Sequence, residues 1–266
     1  MNLRRLSKGA LCLHLAGGAP LASRECVRPL VIGDAMWLKN HAVQRLGGGR
    51  LERWGLGLWS KLQISALQSR KDQQVVSLLK QVRKERTSLL SAFEAYNIYS
   101  LALSMSRLPG EMAEVGVFQG ASARLICEVK GDKTLRLFDT FEGLPQGCDK
   151  DNGVHRTGMY ACSLESVSEY LADYPQVEFY QGLFPDSAAD TPDDQYCFVH
   201  FDVDLYEGTL ACLEYFYPRM VPGGIMVSHD YGLLAGVEAA FTEFFADKPE
   251  PVIDMPTTQC MVVKLG

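Results

Sequence analysis

The chain has 266 residues, 47% of them hydrophobic and 22% charged, which is material for one generous packed domain, with or without an appendage, and not for a disordered chain. Lys and Arg number 26 against 32 acidic residues, a formal net charge of −6 that argues against sequence-independent nucleic-acid binding. The 8 Cys contain no CxxC pair and no close Cys/His spacing, so reduced thiols in the cytoplasm are expected rather than a disulfide scaffold or structural zinc.

No apolar stretch reaches the roughly 18 to 20 residues of a membrane span. Arg4, Arg5 and Lys8 precede an apolar run from Ala10 to Leu15, the outline of a secretory signal, but His14 and the Gly17–Gly18–Ala19–Pro20 stretch weaken it. An irregular arm, or a start at Met36, is the alternative. Residues 1–57 show no steady period, and Gly47–Gly48–Gly49, Gly55 and Gly57 read as loop punctuation. Over 58–108 the pattern turns helical, with Ile64, Leu67, Val75, Leu78, Leu79 and Val82 at steps of three and four, and Pro109–Gly110 stops it. Two or three amphipathic helices forming a cap are expected there. That stretch also offers a homodimer interface.

From 109 to 266 short apolar runs alternate with helical ones. Strands are expected at 111–117, 134–138, 177–180, 197–201 and 224–227, with helices at 121–130, 166–171, 209–217 and 237–246. A terminal hairpin over 251–255 and 259–265 completes the pattern. Such alternation predicts an α/β fold with a doubly wound, mostly parallel sheet, whose ligand lies beyond the carboxyl ends of the strands.

The residues just past each strand therefore matter most. After the first come Glu114, Gly116, Gly120 and Ser122, a tight turn running into a helix N-terminus with free N–H groups. Phe118 stands where the dinucleotide fingerprint needs its middle glycine, which disfavours a nicotinamide-dependent oxidoreductase. After the second come Asp139 and Thr140; a carboxylate at this point can hold both hydroxyls of a ribose. The fourth and fifth strands end at Asp202 and at His229–Asp230. Two carboxylates converging on one pocket repel unless a proton or a cation lies between them, and Mg²⁺ is the simplest such cation. Asp204 has a plainer use as a cap for the next helix. His200, mid-strand, reads as a core residue.

The loop Glu114-x-Gly116-x-x-x-Gly120-x-Ser122 resembles the cofactor loop of the catechol and caffeoyl-CoA O-methyltransferases. The runs Phe138-Asp-Thr-Phe-Glu-Gly-Leu-Pro145, Asp202-Val-Asp-Leu-Tyr206, Tyr217-Pro-Arg-Met-Val-Pro-Gly-Gly224 and His229-Asp-Tyr-Gly232 resemble the macrocin O-methyltransferase family, over about residues 85 to 266. The resemblance implies a Rossmann-like sheet of seven strands, the last antiparallel, and S-adenosylmethionine-dependent, Mg²⁺-assisted methylation of a sugar hydroxyl on a glycosylated small molecule or glycan. It also implies that Glu114, Gly116, Gly120 and Ser122 line the methionine and ribose end of the cofactor, with Asp139 and Thr140 at the ribose and Gly182 beside the adenine. Asp202 and Asp230 are implied as metal ligands. Many members carry two adjacent aspartates where this chain has His229–Asp230; an imidazole still coordinates, but less well toward a hard cation, and a supporting role behind the ligands is the alternative for His229. A sugar hydroxyl is a poor nucleophile and needs a base. His155, in the polar loop 147–156, is the candidate, with Asp202 beside it. A non-catalytic cofactor-binding scaffold of the same fold is the rival reading.

Overall fold

The computed structural model describes residues 50–266. The expected arm up to residue 49, with the signal-like segment and the Gly47–Gly49 punctuation, lies outside them. The first helix, α1 (Arg50–Gln68), starts earlier than the sequence pattern predicts, so Gly55 and Gly57 stand inside it. A Cβ at either glycine would touch nothing within 4 Å, and the helix tolerates their low propensity because Ser60, Gln63 and Leu67 are buried along one side.

Helix α2 (Gln73–Glu85) opens at Asp72, whose carboxylate accepts the Gln74 N–H, and closes with Arg83 and Lys84 in its last turn, where they oppose the helix dipole. Helix α3 (Ala92–Met105) opens with a capping box formed by Ser91 and Glu94. Its buried stripe is Ala92, Ala95, Ile98 and Ala102, where the three alanines let it lie close to its neighbours and Ile98 fills the core.

The rest alternates as expected, through β1 (Glu111–Val115), α4 (Ala121–Cys127), β2 (Leu135–Asp139), α5 (Leu164–Tyr170), β3 (Val177–Gln181), β4 (Tyr196–Phe201), α6 (Tyr206–Phe216), β5 (Met220–Ser228), α7 (Ala235–Phe244), β6 (Ile253–Asp254) and β7 (Cys260–Val263). The strands form one seven-stranded sheet in the order β3-β2-β1-β4-β5-β7-β6. The first five are parallel, and β7 runs antiparallel to both neighbours. Strand β5 begins four residues before the expected Gly224. Pro222 and Gly223 read as a turn, yet both are exposed and Gly223 N–H donates to the Lys264 carbonyl, which keeps them in the sheet.

Alternation along the strands divides the core in two. Met112, Leu135, Leu137, Phe198 and Val227 face α1 to α4 and pack with Leu67, Leu79, Ile98 and Leu125. Ala113, Val115, Phe138, Val199 and Phe201 face α6 and α7 and pack with Leu213, Phe216, Val237 and Phe241. The helices marked by sequence as a cap are therefore packed in one of the two layers that sandwich the sheet. Among the described residues, no helix is long and apolar enough to cross a membrane.

Candidate active site

Strand order reverses between β1 and β4, and loops leaving β1, β2, β3, β4 and β5 surround one cavity of about 980 Å³ at that reversal. Gly116 allows the first loop to run there. It has φ +83°, and a Cβ would overlap the carbonyl of Asp202 at the end of β4, so only glycine lets the two strand ends approach.

Asp139 closes the second strand and ties two loops together. Its Oδ2 accepts the N–H groups of Val117 at 2.6 Å and Phe118 at 3.0 Å, and its Oδ1 accepts that of Phe141 at 2.8 Å. The Thr140 hydroxyl donates to the Gly143 carbonyl at 2.8 Å. Asp139 and Thr140 line the cavity, as do Gly116, Ser122 and Gly182.

Two sequence-expected residues are not on the wall. Glu114 is fully buried, and its Oε1 lies 2.8 Å from Nδ1 of the equally buried His200. Side chains alternate along β1, so Glu114 points to the α1–α4 side of the sheet while Val115 faces α6 and α7 and reaches the cavity. Gly120 takes the left-handed conformation ahead of α4, and a Cβ there would meet Val167 and Tyr170 of α5. Its lack of a side chain lets α4 pack against α5.

The loop carrying His155 is fastened at its base by Leu144 N–H to Met159 O, 2.8 Å, and Gly158 N–H to Leu144 O, 2.9 Å. Asp151 fixes its middle: Oδ1 accepts the Tyr206 N–H at the start of α6, 2.7 Å, and Oδ2 accepts that of Cys148, 2.8 Å. Gly236 leaves room for this, since a Cβ would overlap Asp151 Oδ1. Lys150 adds an ion pair to Glu243, 2.7 Å. His155 and Tyr160 thereby stand in the cavity wall with ring centroids 6.0 Å apart, and Phe118 meets Tyr160 edge to face at the same separation.

Across the cavity, Asp202, His229 and Asp230 each offer a ligand atom, all within 4.8 Å of one another. His229 Nδ1 lies 3.2 Å from Asp230 Oδ1 and 3.6 Å from Asp202 Oδ1. Burial disfavours a charged imidazole, but Asp230, Asp202 and Glu94 outweigh it and hold the pKa of His229 well above its usual value. Burial, followed by the charges of Asp202 and Asp230, pushes Asp204 far upward. A hydrogen bond between Asp204 and Asp230 goes with this upward shift, and Asp204 does not cap α6, whose first N–H is held by Asp151. Burial also raises Asp202 against the pull of His229. For Asp230 burial acts the same way, yet the charge of His229 and hydrogen bonds from His229 and Asp204 prevail and lower its pKa. Too many acids share one imidazole for all to ionise, and two carboxylates with one imidazole nitrogen are a fitting donor set for a divalent cation.

Behind His229 stands a residue that the sequence pattern does not reveal. Glu94 of α3 lies with Oε2 3.4 Å from His229 Nε2, and its Oε1 accepts the Thr258 hydroxyl at 2.9 Å. The first turn of a helix more than a hundred residues upstream carries no period or spacing that would link it to β5.

The sequence profile described as Macrocin-O-methyltransferase (TylF) matches residues 99–260, a span that runs from within α3 to the first residue of β7 and takes in the strand ends that carry Asp139, Asp202, His229 and Asp230. The chain belongs to that family. Among curated macrocin-type relatives, it is 32% identical over 142 residues to 8-demethyl-8-(2,3-dimethoxy-alpha-L-rhamnosyl)-tetracenomycin-C 4'-O-methyltransferase of Streptomyces olivaceus, covering 47% of this chain and 54% of that one. It is 29% identical over 157 residues to demethyldecarbamoylnovobiocin O-methyltransferase of Streptomyces niveus, covering 53% and 60% respectively. The chain thus spans between half and two thirds of the length of the curated relatives it matches. The solved O-methyltransferase NovP superposes with a TM-score of 0.61 at 24% identity, over 67% of this chain and 82% of that one, and shares the fold.

Proposed function

We propose that the chain is an S-adenosylmethionine-dependent O-methyltransferase that acts on a sugar hydroxyl of a glycosylated small molecule or glycan, in the cytoplasm, with a divalent cation assisting. Residues 109–266 carry the chemistry, and the helical segment before them borders it through Leu56 of α1 and the link from Thr87 to Leu90 between α2 and α3, all on the cavity wall. The observation that carries this reading is one cavity at the strand reversal with the Asp139 carboxylate on one side and the Asp202–His229–Asp230 group on the other. Relatives named for O-methylation of rhamnosyl-tetracenomycin and of mycinamicin III support the substrate class.

Each part of the wall has a task. Asp139, already anchored by three backbone N–H groups, presents its remaining lone pairs to the ribose hydroxyls. Gly116 and Gly182 keep the backbone low enough for a nucleoside to lie along it. His155, on its fastened loop, takes the proton of the acceptor hydroxyl, while Phe118 and Tyr160 exclude water beside it. The cofactor supplies an electrophilic methyl group on a sulfonium, so the protein's share is orientation and desolvation. Asp202, His229 and Asp230 would hold a divalent cation, which would supply Lewis-acid assistance to the acceptor hydroxyl. Phe118 lies in the wall where a pyrophosphate would need open backbone, which weighs against the nicotinamide alternative.

Calorimetric titration with S-adenosylmethionine, followed by transfer of labelled methyl to a panel of glycosides, tests the reading. Micromolar binding that falls by about tenfold or more in Asp139→Asn, on the scale of a lost charge-assisted hydrogen bond, is the expected result. Absence of binding in the wild-type chain overturns it.

A further inference from the structure

The cation site differs from an all-oxygen one in a way that fixes which nitrogen of His229 is available. Two groups face Nε2, the Glu94 carboxylate and the Thr258 hydroxyl oxygen, each at 3.4 Å. The Thr258 hydroxyl spends its hydrogen on Glu94 Oε1, so both neighbours of Nε2 are acceptors and Nε2 carries the proton. Glu94 is itself held in place. Its Oε2 accepts the Ser91 N–H at 2.7 Å and its Oε1 accepts the Thr258 N–H at 3.2 Å, and the residue is 5% exposed. Nδ1, on the opposite side of a ring only 8% exposed, points at Asp202 and Asp230. A metal-bound imidazole has this arrangement, with one nitrogen donating to a carboxylate and the other directed at the ion.

Building on the reading of this cavity as a cation-assisted methyltransferase site, we propose that the site takes a first-row transition-metal ion of the Mn²⁺, Co²⁺ or Zn²⁺ class in preference to Mg²⁺. His229 Nδ1 is a direct ligand and Glu94 is the positioning residue that fixes the imidazole tautomer. Imidazole nitrogen suits these borderline ions, whereas Mg²⁺ favours oxygen donors and gives up its water reluctantly.

Pulsed electron paramagnetic resonance on the wild-type chain loaded with Mn²⁺ reads the proposal without reference to turnover. Nitrogen coupling from a directly bound imidazole is expected. In His229→Asp the coupling disappears, and the ratio of Mn²⁺ to Mg²⁺ affinity, measured by titration, falls by about tenfold or more. Glu94→Gln keeps a capping side chain at its position, so α3 retains its helicity while Mn²⁺ binding weakens by about 10- to 100-fold. Bound Mn²⁺ without nitrogen coupling overturns the proposal and leaves cation assistance standing. Binding of neither Mn²⁺ nor Mg²⁺ to protein that still binds S-adenosylmethionine overturns both the proposal and the cation, and leaves the methyltransferase reading intact. The decisive measurement is on the wild-type chain, so it does not depend on how well a variant folds.

Discussion

The two ends of the parallel strands are built to opposite standards. At the amino ends charges are neutralised and backbone groups are used. Arg136 at the start of β2 binds Glu178 at 3.1 Å and Asp194 at 2.6 Å, Lys133 donates to the Leu108 and Gly110 carbonyls at 2.6 and 2.7 Å, and Lys130 donates to the Lys133 carbonyl at 2.7 Å. At the carboxyl ends Phe118, Asp204 and Asp230 hold φ of +48°, +60° and +58°, and Phe141 +56°. Left-handed backbone at such residues costs on the order of 1 kcal/mol each. The amino ends have one comparable residue, Gln176 before β3. The same sheet therefore gains stability at one end and gives some of it up at the other, and the strained end is the one that surrounds the cavity.

The largest effect expected from breaking this contrast is at Asp202. Asp202→Asn keeps the size of the side chain and removes one acid from the cluster. Turnover on a methyl acceptor falls by about 10²-fold or more. The pKa of Asp202 is raised in the folded chain, so its ionised form burdens the fold once pH exceeds the ordinary carboxylate range, and Asn removes that burden. The melting temperature in metal-free buffer therefore stays level or rises at pH 7. A fall in melting temperature comparable to the loss of activity would place Asp202 with the structural residues instead.

Acid should dismantle the opposite end. Glu250 accepts hydrogen bonds from Lys264 Nζ at 2.8 Å, Tyr217 OH at 2.7 Å and Leu265 N–H at 3.2 Å. Burial alone would raise its pKa, but these bonds, Lys264 and Tyr217 foremost, lower it from 4.5 to about 2. A carboxyl depressed by folding contributes stability that is complete above its unfolded pKa and is lost as pH falls through the folded one. Between pH 4.5 and 2 the loss reaches at most roughly 3 kcal/mol. Denaturant unfolding across that window checks it. The Glu250→Gln chain should be less stable at pH 7 and flatter in acid, and an equal slope in both chains would remove Glu250 as the cause.

Sequence pattern reaches the stable features more readily than the functional ones. The apolar runs of β1, β2 and β4 locate strands because burial on both faces demands them, and the cluster of acids at strand ends locates the cavity because parallel strands share one direction. What period two does not supply is which face a given residue takes. Glu114 and Val115 are adjacent in a strand with both faces covered, so the hydrophobic pattern is silent on which one meets the cavity. Glycine misleads at α1, where tertiary burial of Ser60, Gln63 and Leu67 overrides local propensity. Asp204 is readable as a cap only until Asp151, 55 residues before Tyr206, is seen to hold that N–H. Glu94 belongs to a local helix start in sequence and to the Asp202–His229–Asp230 group in space.

A smaller effect sharpens the comparison from the stable side. The Arg136 side chain is 4% exposed, but its partners Glu178 and Asp194 keep 45% and 41% of theirs exposed, so on losing the guanidinium they turn to water instead of remaining buried and unpaired. Arg136→Met retains most of the apolar stem against Tyr196. The expected cost is therefore about 2 kcal/mol, the order of two charge-assisted hydrogen bonds partly screened by solvent, below the cost of orphaning a fully buried charge. Arg136→Lys should recover part of it, because an ammonium reaches one carboxylate but cannot fork to two. Turnover per folded molecule should be unchanged in both variants, since Arg136 stands at the opposite end of β2 from Asp139. If Arg136→Met instead lowers turnover while denaturant unfolding is unmoved, the division of labour between the two ends of the sheet fails at its simplest point.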